Sequence, residues 1–293
     1  MKAFDYFRPS SFEEACRLVS QSNGRSKVLA GGTDLLVQIK QERLHPNALV
    51  SLRDVPGLSF IRVESDRGVA IGAMTPLRAI ETSEEILKRC RAVSEAASWI
   101  GSVQVRSRAT LGGNLCNAAP SADMAPILIG CGATTILSDG QTDRSIPLED
   151  FFTGPGQTAL RDGELMKEVH IPSPPRSSFG TYLKAYRSSM DIAVAGVGLL
   201  VIFESKSGVC RDLRLVLGAV APTPMRARKS EGTATGQRLD DELIEKVSQM
   251  ASEEARPISD VRSTASYRRT LVAVLTRKTL LAARSWAEKG GRR

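Results

Sequence analysis

Cysteine and histidine are scarce in this 293-residue chain, with five cysteines (Cys16, Cys90, Cys116, Cys131, Cys210) and two histidines, His45 and His170. The cysteines are scattered, odd in number and form no C-x-x-C pair. That argues against a disulfide framework, a zinc ribbon or an iron–sulfur cluster held by this chain alone. Two histidines far apart in sequence argue against a His-rich metal site and leave little for a Ser–His–Asp triad. There is no G-x-S-x-G elbow and no G-x-x-x-x-G-K-[ST] loop, which disfavours hydrolysis and phosphoryl transfer from a nucleoside triphosphate. Aromatic residues make up only 5% of the chain. Nucleic-acid binding therefore lacks its stacking platforms. No apolar run reaches the length of a membrane span. The stretch Met1–Phe7 lacks the apolar core of a signal peptide, so a cytoplasmic location is expected.

What remains is ordinary for a globular chain, at 42% hydrophobic and 25% charged residues, and the length favours two domains. The net charge is +8, with basic residues gathered at the end: Arg262, Arg268, Arg269, Arg277, Lys278, Arg284, Lys289, Arg292 and Arg293. They read either as a solvated helix face with a frayed tail or as a surface that docks on an acidic partner.

Ser11, with Glu14 three residues on, reads as a capping box opening a helix. Lys27–Ala30 reads as a short buried strand, and Asp34–Gln41 turns helical. Ala48–Leu52, Phe60–Val63 and Val69–Ile71 read as strands, with a turn at Asp66-Arg67-Gly68. Thr75-Pro76 opens a helix, Arg91–Trp99 is an alanine-rich one, and Asp123–Ile129 is a third. Ala133–Leu137 and Glu168–Ile171 are strand-like, with a loop at Gly154-Pro-Gly156. Pro172–Ser178, with three prolines and three serines, is the best linker in the chain, so the expected domains are 1–175 and 176–293. Beyond it, Gly180–Arg187, Val194–Phe203 and Leu213–Ala219 read as strands, with a turn at Ser207-Gly208 and Ala221–Pro224 ending the sheet. Asp240–Ala255 and Ser266–Glu288 are helical, the second with apolar spacing through Leu271, Val274, Leu275, Leu280 and Leu281.

Two glycine pairs carry the chemistry: Lys27-Val-Leu-Ala-Gly-Gly-Thr-Asp34 and Arg108-Ala-Thr-Leu-Gly-Gly-Asn114. Adjacent glycines permit positive φ and close approach of a ligand to the main chain. Successive free N–H groups then form a concave anion site. Two such loops, each beside a hydroxyl or amide side chain, point to a diphosphate clamped from both sides, hence a dinucleotide cofactor. Neither matches the G-x-G-x-x-G fingerprint of a Rossmann fold. Thr110 and Asn114 can hydrogen-bond beside the second pair. Asp123 reads either as an acceptor for ribityl or ribose hydroxyls or as a helix N-cap before Met124. Cys116 reads as a packing residue or a redox thiol. Lys184 and Arg187 lie after the linker; positive charge near a flavin ring would favour its anionic reduced form, and Arg187 reads otherwise as a surface charge.

These segments resemble the FAD-binding medium subunits of the molybdenum hydroxylases, the xanthine and carbon monoxide dehydrogenase group. The resemblance rests on both glycine segments and on Gln104-Val-Arg106, Ser121-Ala-Asp123, Phe152–Gly156, Met190-Asp-Ile192, Gly218–Pro224 and Ser266-Tyr-Arg268. It spans essentially the whole chain. Gly154-Pro-Gly156 and Ala221–Arg226 look most like the bacterial xanthine dehydrogenase subunits. Carbon monoxide dehydrogenase medium subunits more often carry Gly-Gly-His-Ser where this chain has Gly-Gly-Thr-Asp. The resemblance implies an α+β fold: a two-lobed FAD-binding domain of the vanillyl-alcohol-oxidase type, then a small C-terminal α+β domain. It implies FAD contacts at Lys27, Val28, Leu29, Ala30, Gly31, Gly32, Thr33, Asp34, Ile100, Thr110, Leu111, Gly112, Gly113, Asn114, Asp123, Met166 and Lys184. It implies no catalytic side chain and no metal ligand in this chain. Molybdopterin is expected on a large partner subunit and two [2Fe-2S] clusters on a small one. NAD or another molecule is the expected electron acceptor. Carbon monoxide, aldehyde and N-heterocycle (nicotinate-type) dehydrogenases are alternative complexes. A stand-alone FAD oxidoreductase and a basic binding module, in which the glycine loops are mere turns, are the rival readings.

Overall fold

The computed structural model describes residues 3–64, 68–204 and 208–291. The chain begins with a parallel three-stranded sheet of Asp5–Phe7, Ala48–Ser51 and Ser26–Leu29, in that spatial order. Parallel neighbours need crossovers, and two helices supply them, Phe12–Gln21 and Leu35–Lys40. The first buries Phe12, Ala15 and Cys16, spaced three and four apart, against Val50, Leu52, Val55 and Leu58. Its capping box is offset by one residue. The Ser11 hydroxyl accepts from the Glu14 N–H at 3.1 Å, but the Glu14 carboxylate accepts from the Ser10 N–H at 2.7 Å. The strand Ser26–Leu29 is less buried than its apolar run suggests: Lys27 is exposed, and Val28 and Leu29 are half-buried. It is the edge strand of its sheet and borders the cavity described below.

The second lobe is an antiparallel sheet in the order Ile61–Glu64, Gly68–Gly72, Leu165–Ile171, Thr134–Ser138, Asp143–Pro147. The long connection from Gly72 to Thr134 carries the helices Leu77–Thr82, Glu84–Arg89, Arg91–Ser98, Val103–Arg106, Leu111–Cys116 and Met124–Gly130. The apolar sides of all of these but Val103–Arg106 share one core with Val69, Ile71 and Val169 of the sheet. The edge strand Asp143–Pro147 alternates exposed and half-buried residues and has no apolar run to announce it.

The third sheet is antiparallel: Ser178–Ala185, Ala195–Phe203, Cys210–Gly218 and Met225–Arg226. The first of these stops at Ala185, short of Arg187, and the last returns after Ala221–Pro224, where an end to the sheet is expected. All nine residues of Ala195–Phe203 are buried, because the sheet is covered on both faces. One face receives the helix Met124–Gly130 so closely that a Cβ at Gly198 would lie 2.7 Å from the Pro126 carbonyl carbon. Tyr182 and Val216 thereby join the core of the second lobe. The helices Arg228–Ala234, Asp241–Glu254 and Ala265–Glu288 share a separate core with the sheet. In the last helix Leu275 and Leu280 are buried, whereas Val274 is exposed. The expected turns at residues 66–67 and 207, and the basic tail at 292–293, lie outside the described residues. Among the described residues no helix is long and apolar enough to cross a membrane.

Candidate functional site

The first glycine pair joins the strand Ser26–Leu29 to the helix Leu35–Lys40. Gly32 has φ +76°, which favours glycine. Gly31 is needed for a different reason: a Cβ there would lie 2.0 Å from the Arg108 carbonyl oxygen. The two glycine segments therefore touch backbone to backbone. Among the described residues, no protein group accepts from the N–H groups of Gly31, Gly32, Thr33 or Asp34. Four successive unsatisfied amides at a strand-to-helix turn are the kind of donor set from which anion-binding concavities are built.

The second pair behaves otherwise. Gly112 and Gly113 lie inside the helix Leu111–Cys116, capped by Thr110, and neither has positive φ. Leu111 donates to Thr75 O at 3.0 Å, Gly112 to Ala73 O at 2.8 Å, Gly113 to Thr110 Oγ1 at 3.1 Å and Asn114 to Thr110 O at 3.0 Å. The expectation of free amides thus holds at the first pair and fails at the second, where the protein already satisfies them. Glycine is required at 112 by packing, since a Cβ would lie 2.7 Å from that of Ala73. What the second segment offers a ligand is Asn114, whose Oδ1 is buried without a hydrogen-bond partner. Thr110→Val deletes the cap on Gly113. The expected loss is about 1 kcal/mol of stability, read as a lower urea midpoint, with weaker cofactor retention.

Both segments line one cavity of about 890 Å³, toward the upper end of the roughly 300–1,000 Å³ usual for small-molecule and cofactor sites. Its wall brings together Lys27, Val28, Ala30, Gly31, Gly32, Thr33, Asp34, Ile100, Thr110, Gly112, Gly113, Asn114, Asp123, Met166 and Lys184. Leu29 and Leu111 lie outside it, and Leu111 is a fully buried core residue. Wall residues that sequence reasoning did not single out for this role include Glu164, fixed from behind by Arg144 at 2.7 Å, and Asp191. Cys116 also lines the wall, and burial pushes its thiol up to about 12, so it is a neutral thiol at physiological pH.

Asp123 occupies the N-cap position of Met124–Gly130 yet makes no side-chain cap bond. Its carboxylate instead accepts from Tyr182 Oη at 2.6 Å and Lys184 Nζ at 2.9 Å. Burial pushes the carboxyl above its ordinary value, and Lys184 and Tyr182 pull it part of the way back. The Tyr182 phenol is pushed far up by burial and by the neighbouring carboxylate. Lys184, 7% exposed, also donates to Trp99 O at 2.8 Å and Asp191 O at 3.1 Å, so all three of its protons are taken. Its charge is compensated by Asp123 where it lines the cavity. Arg187 is exposed and paired with Asp191 at 3.0 Å. Tyr182 was absent from the sequence reading, although it lies two residues from Lys184 on the same strand face.

Two family models cover the chain: "FAD binding domain in molybdopterin dehydrogenase" over residues 2–174 and "CO dehydrogenase flavoprotein C-terminal domain" over residues 180–283. The chain belongs to the FAD-binding medium subunits of the molybdenum hydroxylases. It is 33% identical to the glyceraldehyde dehydrogenase medium chain of Sulfolobus acidocaldarius, over 94% of this chain and 96% of that one. It is 30% identical to the xanthine dehydrogenase FAD-binding subunit of Escherichia coli O157:H7, over 94% of each. Among solved structures, a chain of the reconstituted CO dehydrogenase from Oligotropha carboxidovorans superposes with a TM-score of 0.93 at 31% identity, covering 97% of this chain and 98% of that one. This medium subunit is therefore a FAD-dependent oxidoreductase component, and its α+β fold is that of the family. The cavity suits FAD on its own chemistry. Four unsatisfied amides match a diphosphate, and the buried, unpartnered Asn114 Oδ1 can accept from a ligand donor.

Proposed function

We propose that this chain carries FAD within a cytoplasmic multi-subunit molybdenum hydroxylase of the xanthine dehydrogenase type. A large partner subunit holds molybdopterin, where substrate is hydroxylated. A small partner subunit holds two [2Fe-2S] clusters that supply electrons, and NAD or another acceptor receives them. The observation that supports this most is that Gly31–Asp34, whose amides have no protein acceptor among the described residues, line the same cavity as Asn114, whose Oδ1 is unpartnered.

When bound, FAD supplies the hydride and electron chemistry. The protein's residues hold and shield it. Gly31, Gly32, Thr33 and Asp34 donate main-chain N–H groups to the diphosphate, and Lys27 at the rim adds positive charge. Gly112 and Gly113 give a flat wall, and Asn114 accepts from the coenzyme. Ile100 and Met166 present apolar surface and exclude water. Asp123 and Lys184 fix the wall between them. No side chain acts as nucleophile or general base.

The full chain, expressed alone and given FAD, is expected to show a flavin spectrum. Native purification is expected to bring down molybdenum- and iron-bearing partners. A colourless chain that takes up no FAD refutes the site, and a lone homo-oligomer without molybdenum or iron refutes the complex. A second reading, an aldehyde-oxidising complex, is favoured by the 33% identity to a glyceraldehyde dehydrogenase medium chain. Turnover of aldehydes but not xanthine by the intact assembly would establish it.

A further inference from the structure

The turn Trp99–Gly101 lies between the helices Arg91–Ser98 and Val103–Arg106, and Ile100 and Gly101 line the cavity. Its three successive carbonyls are all held by buried cations. Trp99 O accepts from Lys184 at 2.8 Å, while Ile100 O and Gly101 O both accept from Arg106 Nη1, at 3.0 and 2.9 Å. Arg106 is 7% exposed and does not line the cavity. It is locked by Glu81, which accepts from its Nε at 2.7 Å and its Nη2 at 3.2 Å, and Glu81 is also paired with Arg78 at 2.9 Å. A bidentate guanidinium–carboxylate pair fixes orientation as well as charge.

The consequence follows from peptide geometry. In a trans peptide the C=O and the following N–H point in opposite directions, and the described residues contain no cis bond. A carbonyl of Ile100 drawn back to Arg106 turns the Gly101 N–H away from Arg106, and Gly101 lines the cavity whereas Arg106 does not. Among the described residues that N–H has no protein acceptor. Gly101 has φ +48°, a conformation that glycine tolerates and that lets the chain reverse here.

We infer that Arg106 is a positioning residue of the coenzyme site: it pins the Ile100–Gly101 peptide so that the Gly101 N–H is offered to an acceptor atom of the bound flavin coenzyme. It does so without touching the ligand, and its charge is spent on Glu81. This deepens the FAD reading above and rests on it.

The test uses the full chain stripped of flavin and titrated with FAD, with amide hydrogen exchange followed in parallel. Arg106→Lys keeps the charge and loses the fork. The expected result is a FAD dissociation constant raised about tenfold, with faster exchange confined to residues 99–102 and unchanged exchange at 27–34. If Arg106→Lys does not fold, the charge-neutral pair Arg106→Gln with Glu81→Gln takes its place, with the same expectation. Wild-type affinity in a folded variant overturns the inference, as does accelerated exchange spread evenly across residues 3–174. A wild-type chain that itself binds no FAD overturns the underlying reading instead, so the two failures are distinguishable.

Discussion

A Gly31→Ala chain is expected to emerge from gel filtration with no bound flavin after incubation with excess FAD. The added methyl would lie 2.0 Å from the Arg108 carbonyl oxygen, 2.7 Å from its carbonyl carbon and 2.9 Å from Ala109 Cα. All three are backbone atoms, so no rotamer change relieves the overlap. The segments carrying Gly31-Gly32 and Thr110–Asn114 must move apart, and the free amides lose their place opposite Asn114. Overpacking of this kind costs about 1–3 kcal/mol, and here it falls on the seam between two walls of the cavity. Absorbance at flavin wavelengths per mole of protein and a urea midpoint give the two readouts. Gly232→Ala is the control, in the helix Arg228–Ala234 with nothing within 4 Å of its added Cβ. It is expected to leave flavin content unchanged and to add up to about 1 kcal/mol of stability. Flavin retained at the wild-type level by Gly31→Ala would show that the two segments need not touch for binding.

The same contact shows what the sequence could and could not disclose. A glycine doublet after a strand announces a backbone-lined site, and Gly31-Gly32 is one. The second doublet looks alike in sequence but is helical, because Thr75 and Ala73, some forty residues earlier, supply the acceptors for Leu111 and Gly112. Local pattern carries no information about such partners. The helices Asp241–Glu254 and Ala265–Glu288 and the strand Ala195–Phe203 were legible, because length and composition agree with burial. The helix Glu84–Arg89 and the strands Asp5–Phe7 and Asp143–Pro147 were not. They are short, and tertiary packing decides them. At the site, the contacts that fix Arg106, Glu164 and Asp123 are side-chain pairs 25, 20 and 61 residues apart in sequence. Each residue type alone reads as surface charge, and only the fold turns it inward.

Asp123→Ala separates the two roles left open by sequence from the one the structure gives it. A lost cap would cost about 1 kcal/mol, and a lost ligand would weaken FAD binding at unchanged stability. The structure points to a third outcome. Removing the carboxylate leaves Lys184 buried with its charge uncompensated and Tyr182 Oη without its acceptor. Breaking one side of a buried pair costs about 3–5 kcal/mol, so a large fall in the urea midpoint is expected. Lys184→Met in the Asp123→Ala background is expected to recover much of that loss, because no unpaired charge then remains in the core. Recovery of stability without recovery of FAD affinity would assign the pair to holding Trp99, Asp191 and the third sheet in register around the coenzyme. Stability unaltered by Asp123→Ala alone would mean that Lys184 finds another counter-charge or reaches water, and the buried-pair account would fail.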